Sequence, residues 1–460
     1  MKGHLFNPSP RIGFAWDPFG HGTTAIRGGY AIFYDHTNGN EANSESLEGT
    51  PPFALTPTVF NINGYTSIPS ASGPQALLFP LALTAIEPQI FWPYMQQWNL
   101  DIQHNIGSNT VLSVAYVGSK GTHLTDQRDL NQIFPLPASQ DPFAPGQPIT
   151  SDICGSSPLA VNGTPVTGQA AVNLNVACGN VTTPDPYRPI TGYGNITFLE
   201  TQANSTYNAL QIYLRRTVGR AQFSLAYTYG HSIDNSSDRY DGTFIDSYNL
   251  ERTRASSNFD ERHILAGSYV YDLPFFQHAS PVLRGTLGGW ELSGIVSFHT
   301  GTPFSVTNGV FGDNAGVANG VGTGSYPDIC GNINQAPGQT NIAGIFAPLL
   351  YNPSAFCAPR GLTFGDAGRN ILYMPSQWDW DTGLFKNIPL HGEKASLQFR
   401  AEAFNILNDV RWTSINSGIS CYGGSNNSAG DPGCVGSNSF LHPGAAGLGR
   451  IFQFGLKLIF

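Results

Sequence analysis

The sequence predicts an all-β chain folded as a transmembrane antiparallel β-barrel with long extracellular loops, and three observations carry that expectation. Charge is scarce, eleven segments alternate apolar with polar residues, and the connections between them alternate short with long. Only 12% of residues are charged, where soluble domains average about a quarter. The chain is nevertheless 40% hydrophobic and 12% aromatic, so its surface faces something other than water. No run of about 18 apolar residues, the minimum for a spanning helix, occurs. At 460 residues the chain is far longer than a small disulfide scaffold.

Taken in order, the eleven segments lie at about 10–17, 24–35, 96–106, 110–119, 206–218, 221–232, 260–273, 289–305, 378–389, 395–408 and 449–460. In the third, Trp98, Leu100, Ile102, His104 and Ile106 share one face and Asn99, Asp101, Gln103 and Asn105 the other. In the sixth, Phe223, Leu225, Tyr227 and Tyr229 alternate with Gln222, Ser224, Ala226 and Thr228. The eighth sets Trp290, Leu292, Gly294, Val296 and Phe298 against Glu291, Ser293, Ile295 and Ser297. The last sets Phe452, Phe454, Leu456, Leu458 and Phe460 against Gln453, Gly455 and Lys457. Most reach the 9–11 tilted residues, roughly, that a strand needs to cross a bilayer.

Short connections follow the odd strands, at Pro18–Thr23, Gly107–Asn109, Gly219–Arg220, Phe275–Gly288 and His391–Lys394. Long ones follow the even strands, at about 36–95, 120–205, 233–259, 306–377 and 409–448. Periplasmic turns are short and outer loops long in outer-membrane barrels. Odd strands therefore run inward, and Phe460 is expected in the periplasm. Strand one also runs inward, so an outward strand is expected before it. Met1 to Pro10 supply none, and hold one Lys with no apolar stretch of signal-peptide length. The expectation is the C-terminal portion of an even-stranded barrel, about 11 strands of about 22.

Six cysteines fall in the long connections: Cys154 and Cys178, Cys330 and Cys357, Cys421 and Cys434. Spacing leaves the pairing open, but two per loop makes three local bridges the economical expectation, which implies an oxidising compartment.

The phrases Asn7–Asp17 (NPSPRIGFAWD), Thr24–Asp35 (TAIRGGYAIFYD), Gln97–Leu124, Tyr207–Arg216 (YNALQIYLRR), Asn258–Pro274 (NFDERHILAGSYVYDLP), Gly288–Phe304 (GGWELSGIVSFHTGTPF) and Gly368–Asn408 together resemble the barrel of Oar-like TonB-dependent transporters of acidobacteria and relatives. The resemblance implies energised uptake of a large substrate, of peptide, protein or oligosaccharide class, with no cofactor. It also implies a signal peptide, a small β-sandwich domain, a TonB box, a plug and an early barrel half, all expected to lie outside residues 1–460. The partners implied are outer-membrane lipid, the barrel-assembly machinery and, through the plug, the TonB system. A last strand of alternating aromatics ending in Phe resembles the assembly signal, here Phe452, Phe454, Leu456, Leu458 and Phe460.

By alternation, the lumen- or plug-facing candidates are Arg27, Asp101, Gln103, Gln211, Glu291, Gln398, Arg400, Glu402, Gln453 and Lys457, with Arg400 and Glu402 expected against the plug. No residue is assigned to catalysis or metal. Asp379 and Asp381 share a face between Trp378 and Trp380, an arrangement read as aromatic girdle and not as acid–base machinery. Asp234, Asp238 and Asp241 with Gly242 lack EF-hand spacing and are read as solvated loop carboxylates. His104 is read as a rim residue, and Gly365–Asn370 as loop chemistry. Tyr65, Tyr187, Tyr193, Tyr240, Tyr248, Tyr326 and Tyr351 are expected to pack within the loops. A net charge of −9 without basic runs speaks against nucleic acid. The rival classes are a stand-alone porin-like channel and a secreted β-sandwich adhesin or carbohydrate-binding protein.

Overall fold

The computed structural model describes residues 6–35, 81–107, 109–181, 183–238, 245–319, 324–334, 339–342, 345–390, 395–420, 422, 435 and 439–460. Each of the eleven expected segments is a strand: β1 (Arg11–Trp16), β2 (Thr24–Tyr34), β3 (Tyr94–Asn105), β4 (Thr110–Asp129), β5 (Tyr193–Arg216), β6 (Ala221–Asp234), β7 (His263–Asp272), β8 (Trp290–His299), β9 (Gln377–Pro389), β10 (Ser396–Phe404) and β11 (Ile451–Ile459). They form one antiparallel meander in sequence order, with β1 and β11 at its two ends. No helix of the described residues is long and apolar enough to cross a membrane. With its large antiparallel sheet, the chain has the architecture of an outer-membrane barrel wall.

The short turns are built locally. Between β1 and β2, the Asp17 carboxylate accepts from the backbone N–H groups of Phe19, Gly20 and Gly22. Those bonds, Gly22's first, hold its carboxyl below the usual range. Gly219, at φ +99° in the four-residue connection between β5 and β6, takes a positive-φ conformation that glycine adopts without strain.

Directly paired residues share a face, so the register carries one face across the whole sheet. On one side, Arg27 pairs with Asp101, Asp101 with Ala115, Ala115 with Gln211 and Gln211 with Thr228. Farther on, Glu291 pairs with Phe385, Phe385 with Arg400, and Glu402 with Gln453. The opposite side carries Trp98, Leu100, Tyr116, Leu210, Tyr229, Phe298, Trp380 and Phe454, and most of these large apolar side chains are exposed. Lipid is the solvent that accommodates such a face. Packing there is close where aromatics cross glycine: a Cβ on Gly118 would lie 2.4 Å from the Trp98 ring.

The structure departs furthest from the expected bounds in three strands. Beyond 119, β4 continues to Asp129, and β5 begins at Tyr193 instead of 206. This extension loses the two-sided alternation because it is covered: Leu81–Ile86 runs parallel to β5, and Leu199 and Ala203 are buried. At about 3.3 Å per residue the outer hairpin projects well past a lipid band about 25 Å tall. Conversely, β8 ends at His299, and Pro303–Phe304 peels away to pair with Tyr373 and Leu372.

The apolar core lies in the long loops. One cluster joins Ile245, Val306, Tyr326, Phe356, Phe364, Leu372, Ile419, Phe440 and Leu441, from the loops after β6, β8 and β10. A second packs Phe143, Leu159, Val161 and Leu174 with Leu362. The helices α1 (Ser151–Gly155) and α2 (Gly168–Ala177) belong to this lobe.

Candidate functional site

All ten lumen-facing candidates lie on the polar side of the sheet, in three groups separated along the meander. In the first, Arg27 donates to Gln103 Oε1 at 2.9 Å and the Ser113 hydroxyl donates to Asp101. Gln211 stands alone between Ala115 and Thr228. The third group is the densest. Arg400 Nε donates to Gln398 Oε1 at 2.7 Å, Gln398 Nε2 donates to Asn387 Oδ1 at 2.9 Å, and the guanidinium sits 5.7 Å over the Phe385 ring. Glu402 faces Gln453, and Gln398 faces Lys457. Glu291 sits beside this group, across from Phe385. A row of hydrogen-bonding groups on strands leaves a hydrated, shape-defined surface.

At the long-loop end the chemistry is different. Arg128 grips Glu200 with two bonds, at 2.6 and 3.2 Å, and Arg188 meets Asp129 at 2.9 Å. Arg369 meets Asp234 at 2.8 Å, with side-chain exposures of 0% and 3%. Asp126 is also fully buried: its Oδ1 accepts from the backbone of Gln202 and Ala203, while Oδ2 has no hydrogen-bond partner among the described residues. Burial pushes its carboxyl up to about 7. Burial likewise raises Asp313, whose carboxylate accepts from the backbone of Val317 and Ala318.

These ion pairs were not legible in the sequence. Arg128 and Glu200 are 72 residues apart, Arg369 and Asp234 135 apart. No local spacing marks them.

Several expectations need correction or qualification. Asp234 is not a solvated carboxylate but the buried partner of Arg369; Asp241 and Gly242 lie outside the described residues. Cys154 and Cys178 are joined by a disulfide. Cys330 and Cys357, expected as a second bridge, are free thiols. The register sets Cys357 opposite Asp328. Each sulfur points to a backbone carbonyl, Cys330 Sγ to Ala355 O at 3.6 Å and Cys357 Sγ to Asp328 O at 3.7 Å. Cys421 and Cys434 lie outside the described residues, as do Tyr65 and Tyr240.

Of the remaining loop tyrosines, Tyr326 is buried in the core, whereas Tyr187 and Tyr248 stay exposed. Asp379 and Asp381 are both engaged, the first with Arg411 at 2.6 Å and the second by the Asn405 backbone N–H. His104 shares a hydrogen bond with Thr24. Among the described residues, no three His, Cys, Asp or Glu are grouped to hold a metal ion.

The profile of the family described as "Outer membrane beta barrel domain" matches residues 1–453. No curated protein matches the chain. Among solved structures, the outer membrane transporter YddB of Escherichia coli is similar over 98% of this chain and 40% of that one, at 12% identity and TM-score 0.44. The ferric preacinetobactin receptor BauA of Acinetobacter baumannii is similar over 98% of this chain and 36% of that one, at 8% identity and TM-score 0.40. The chain thus spans 40% and 36% of the lengths of these two proteins.

Proposed function

Because the chain belongs to the outer membrane beta barrel domain family, we propose that it is the C-terminal part of the barrel of an Oar-like TonB-dependent transporter, taking up a large substrate of peptide, protein or oligosaccharide class. It resides in the outer membrane. The observation that carries the proposal is one face that the register follows across the sheet, with hydrogen-bonded polar groups gathered at Arg27–Gln103 and at Glu291–Lys457, opposite a face rich in exposed aromatics and leucines. A passive wall has no need of the knot at Arg400, whereas a plug resting on it would meet a hydrogen-bonding, partly aromatic platform. The two ends of the sheet, β1 and β11, support a wall completed by further strands, since open edges in lipid leave backbone groups unsatisfied at several kcal/mol each. A stand-alone pore would require those ends to meet, and the strand order among the described residues does not join them.

The test is photo-crosslinking from positions 400 and 402 in the full gene product, together with uptake in cells with and without TonB. Crosslinks to an N-terminal plug and TonB-dependent uptake are expected. Stable pores formed by this chain alone, with no plug crosslink, would overturn the reading. In the same frame Phe460, 96% exposed at the end of β11, acts with Phe452, Phe454, Leu456 and Leu458 as the signal for the barrel-assembly machinery. Phe460→Ser should reduce membrane insertion more than deletion of an outer loop does, as read by the heat-shifted band on gels.

A further inference from the structure

The short-turn rim carries one element that the barrel wall does not require. Only four residues separate β3 from β4 and four separate β5 from β6, but the connection between β7 and β8 contains a helix, α3 (Pro281–Leu287). Its position is fixed by Lys386. This residue pairs with Trp290 and Phe399, so it belongs to the apolar face of the sheet, and its ammonium lies 5.2 Å from the Trp290 ring centroid. From there Nζ donates to the carbonyls of Thr286 and Gly288, both at 2.8 Å, and only 5% of the residue is exposed. A lysine rooted in the apolar face and bonded to the last turn of α3 holds that helix on the lipid side of the wall, not over the lumen.

Placed there, the turn presents large apolar side chains to its surroundings: Phe275, Phe276, Val282, Leu283 and Leu287 are all exposed, Val282 by 75%. The whole stretch from Leu273 to Gly289 contains no Asp or Glu. Arg284 lies exposed on the helix, and Arg220 of the neighbouring hairpin reaches over to Gln277 at 3.0 Å. An apolar set with exposed cations and no carboxylate, continuous with a lipid-facing band, has the composition of a segment lying in the headgroup boundary.

The geometry points to α3 and the Phe275–Phe276 pair as an interfacial anchor that inserts into the periplasmic leaflet of the outer membrane, with Arg284 at the level of the phosphates. The ligand is phospholipid. A periplasmic protein seated on the same face is the alternative that the experiment separates.

The test reconstitutes the protein in vesicles of phosphatidylethanolamine and phosphatidylglycerol that carry a diazirine on the acyl chain, and maps the labelled peptides after illumination. Label is expected on residues 275–287 as well as on the apolar face of β11 at Phe454 and Leu456. Label on β11 but none on 275–287 would overturn the proposal, whereas absence of label from both would refute the membrane wall itself. In the Leu283→Asp/Leu287→Asp variant, labelling of the turn should fall at least about ten-fold, with β11 within about two-fold of the parent. Lys386→Met, which releases the helix end, should also lower it; unchanged labelling in both variants would show that the helix is not held in lipid.

Discussion

The strand wall and the loop dome are built on opposite rules. The wall buries little and shows its apolar residues: Phe14 is 56% exposed and Phe454 72%. The dome hides its apolar residues, with Tyr326 and Phe440 at 1% or less, and adds a disulfide and ion pairs. One region obtains its stability from backbone ladders and from lipid, which takes up the side chains that water would reject. The other folds as a soluble domain does, by burying apolar area and satisfying polar groups. A sheet that alternates its faces is specified locally, whereas a dome assembled from three loops is specified by contacts distant in sequence.

The sharpest break between the two regions should come from Arg369→Met, which leaves Asp234 as a buried unpaired carboxylate. Loss of one partner of such a pair costs about 3–5 kcal/mol. The dome should become protease-sensitive while the wall keeps its heat-shifted mobility on gels; loss of both together would show that dome and wall are one cooperative unit. Phe454→Lys attacks the other side of the comparison. A lysine near the bilayer midplane costs about 2–4 kcal/mol, so membrane-integrated yield should fall with no change in the digestion pattern of whatever dome has formed.

Cys154→Ser opens the bridge across the first lobe, whose sequence separation is 24. The expected loss is about 3 kcal/mol, visible as faster hydrogen exchange in residues 150–178 and nowhere in the wall. The smallest effect concerns pH. Folded Asp126 keeps its proton to about pH 7 because burial penalises the charge, against an ordinary value of 3.8. Its contribution to stability is therefore complete below about pH 3.8, declines as pH rises, and levels off above about 7. Exchange protection of the outer β4–β5 hairpin, corrected for intrinsic rates, should fall by up to about a hundred-fold between pH 5 and 8, because about two pK units of the shift from 3.8 to about 7 lie in that window. Asp126→Asn should flatten that profile, and a slope unchanged in the variant would assign it elsewhere.

The wall was legible because its code is short-range. Trp98, Leu100 and Ile102 against Asn99, Asp101 and Gln103 announce a strand with two faces, and the register confirms that those faces continue into β2 and β4. Connection lengths gave the meander. The outer parts of β4 and β5 were missed because a strand covered on both sides has no reason to alternate, as buried Asp126, Asp129, Leu199 and Glu200 illustrate. In the dome, Asp234 was misread as solvated because the residue that answers it, Arg369, sits 135 positions away. Cysteine spacing was a reasonable guide for Cys154 and Cys178, but it carries no register. In the facing segments Cys330 lies opposite Ala355 and diagonal to Cys357, so the two thiols are neighbours that remain unbridged.

The shared core of the loops also bears on mechanics. Ile245, Tyr326 and Phe440 belong to three different connections yet occupy one apolar cluster, so the strands from β6 to β11 are laced together at their outer ends. A load applied to any one of these loops is spread over the other two, much as a knot distributes tension among its cords. The outer rim is therefore stiff and preformed, and a displacement at one point is felt across half the sheet.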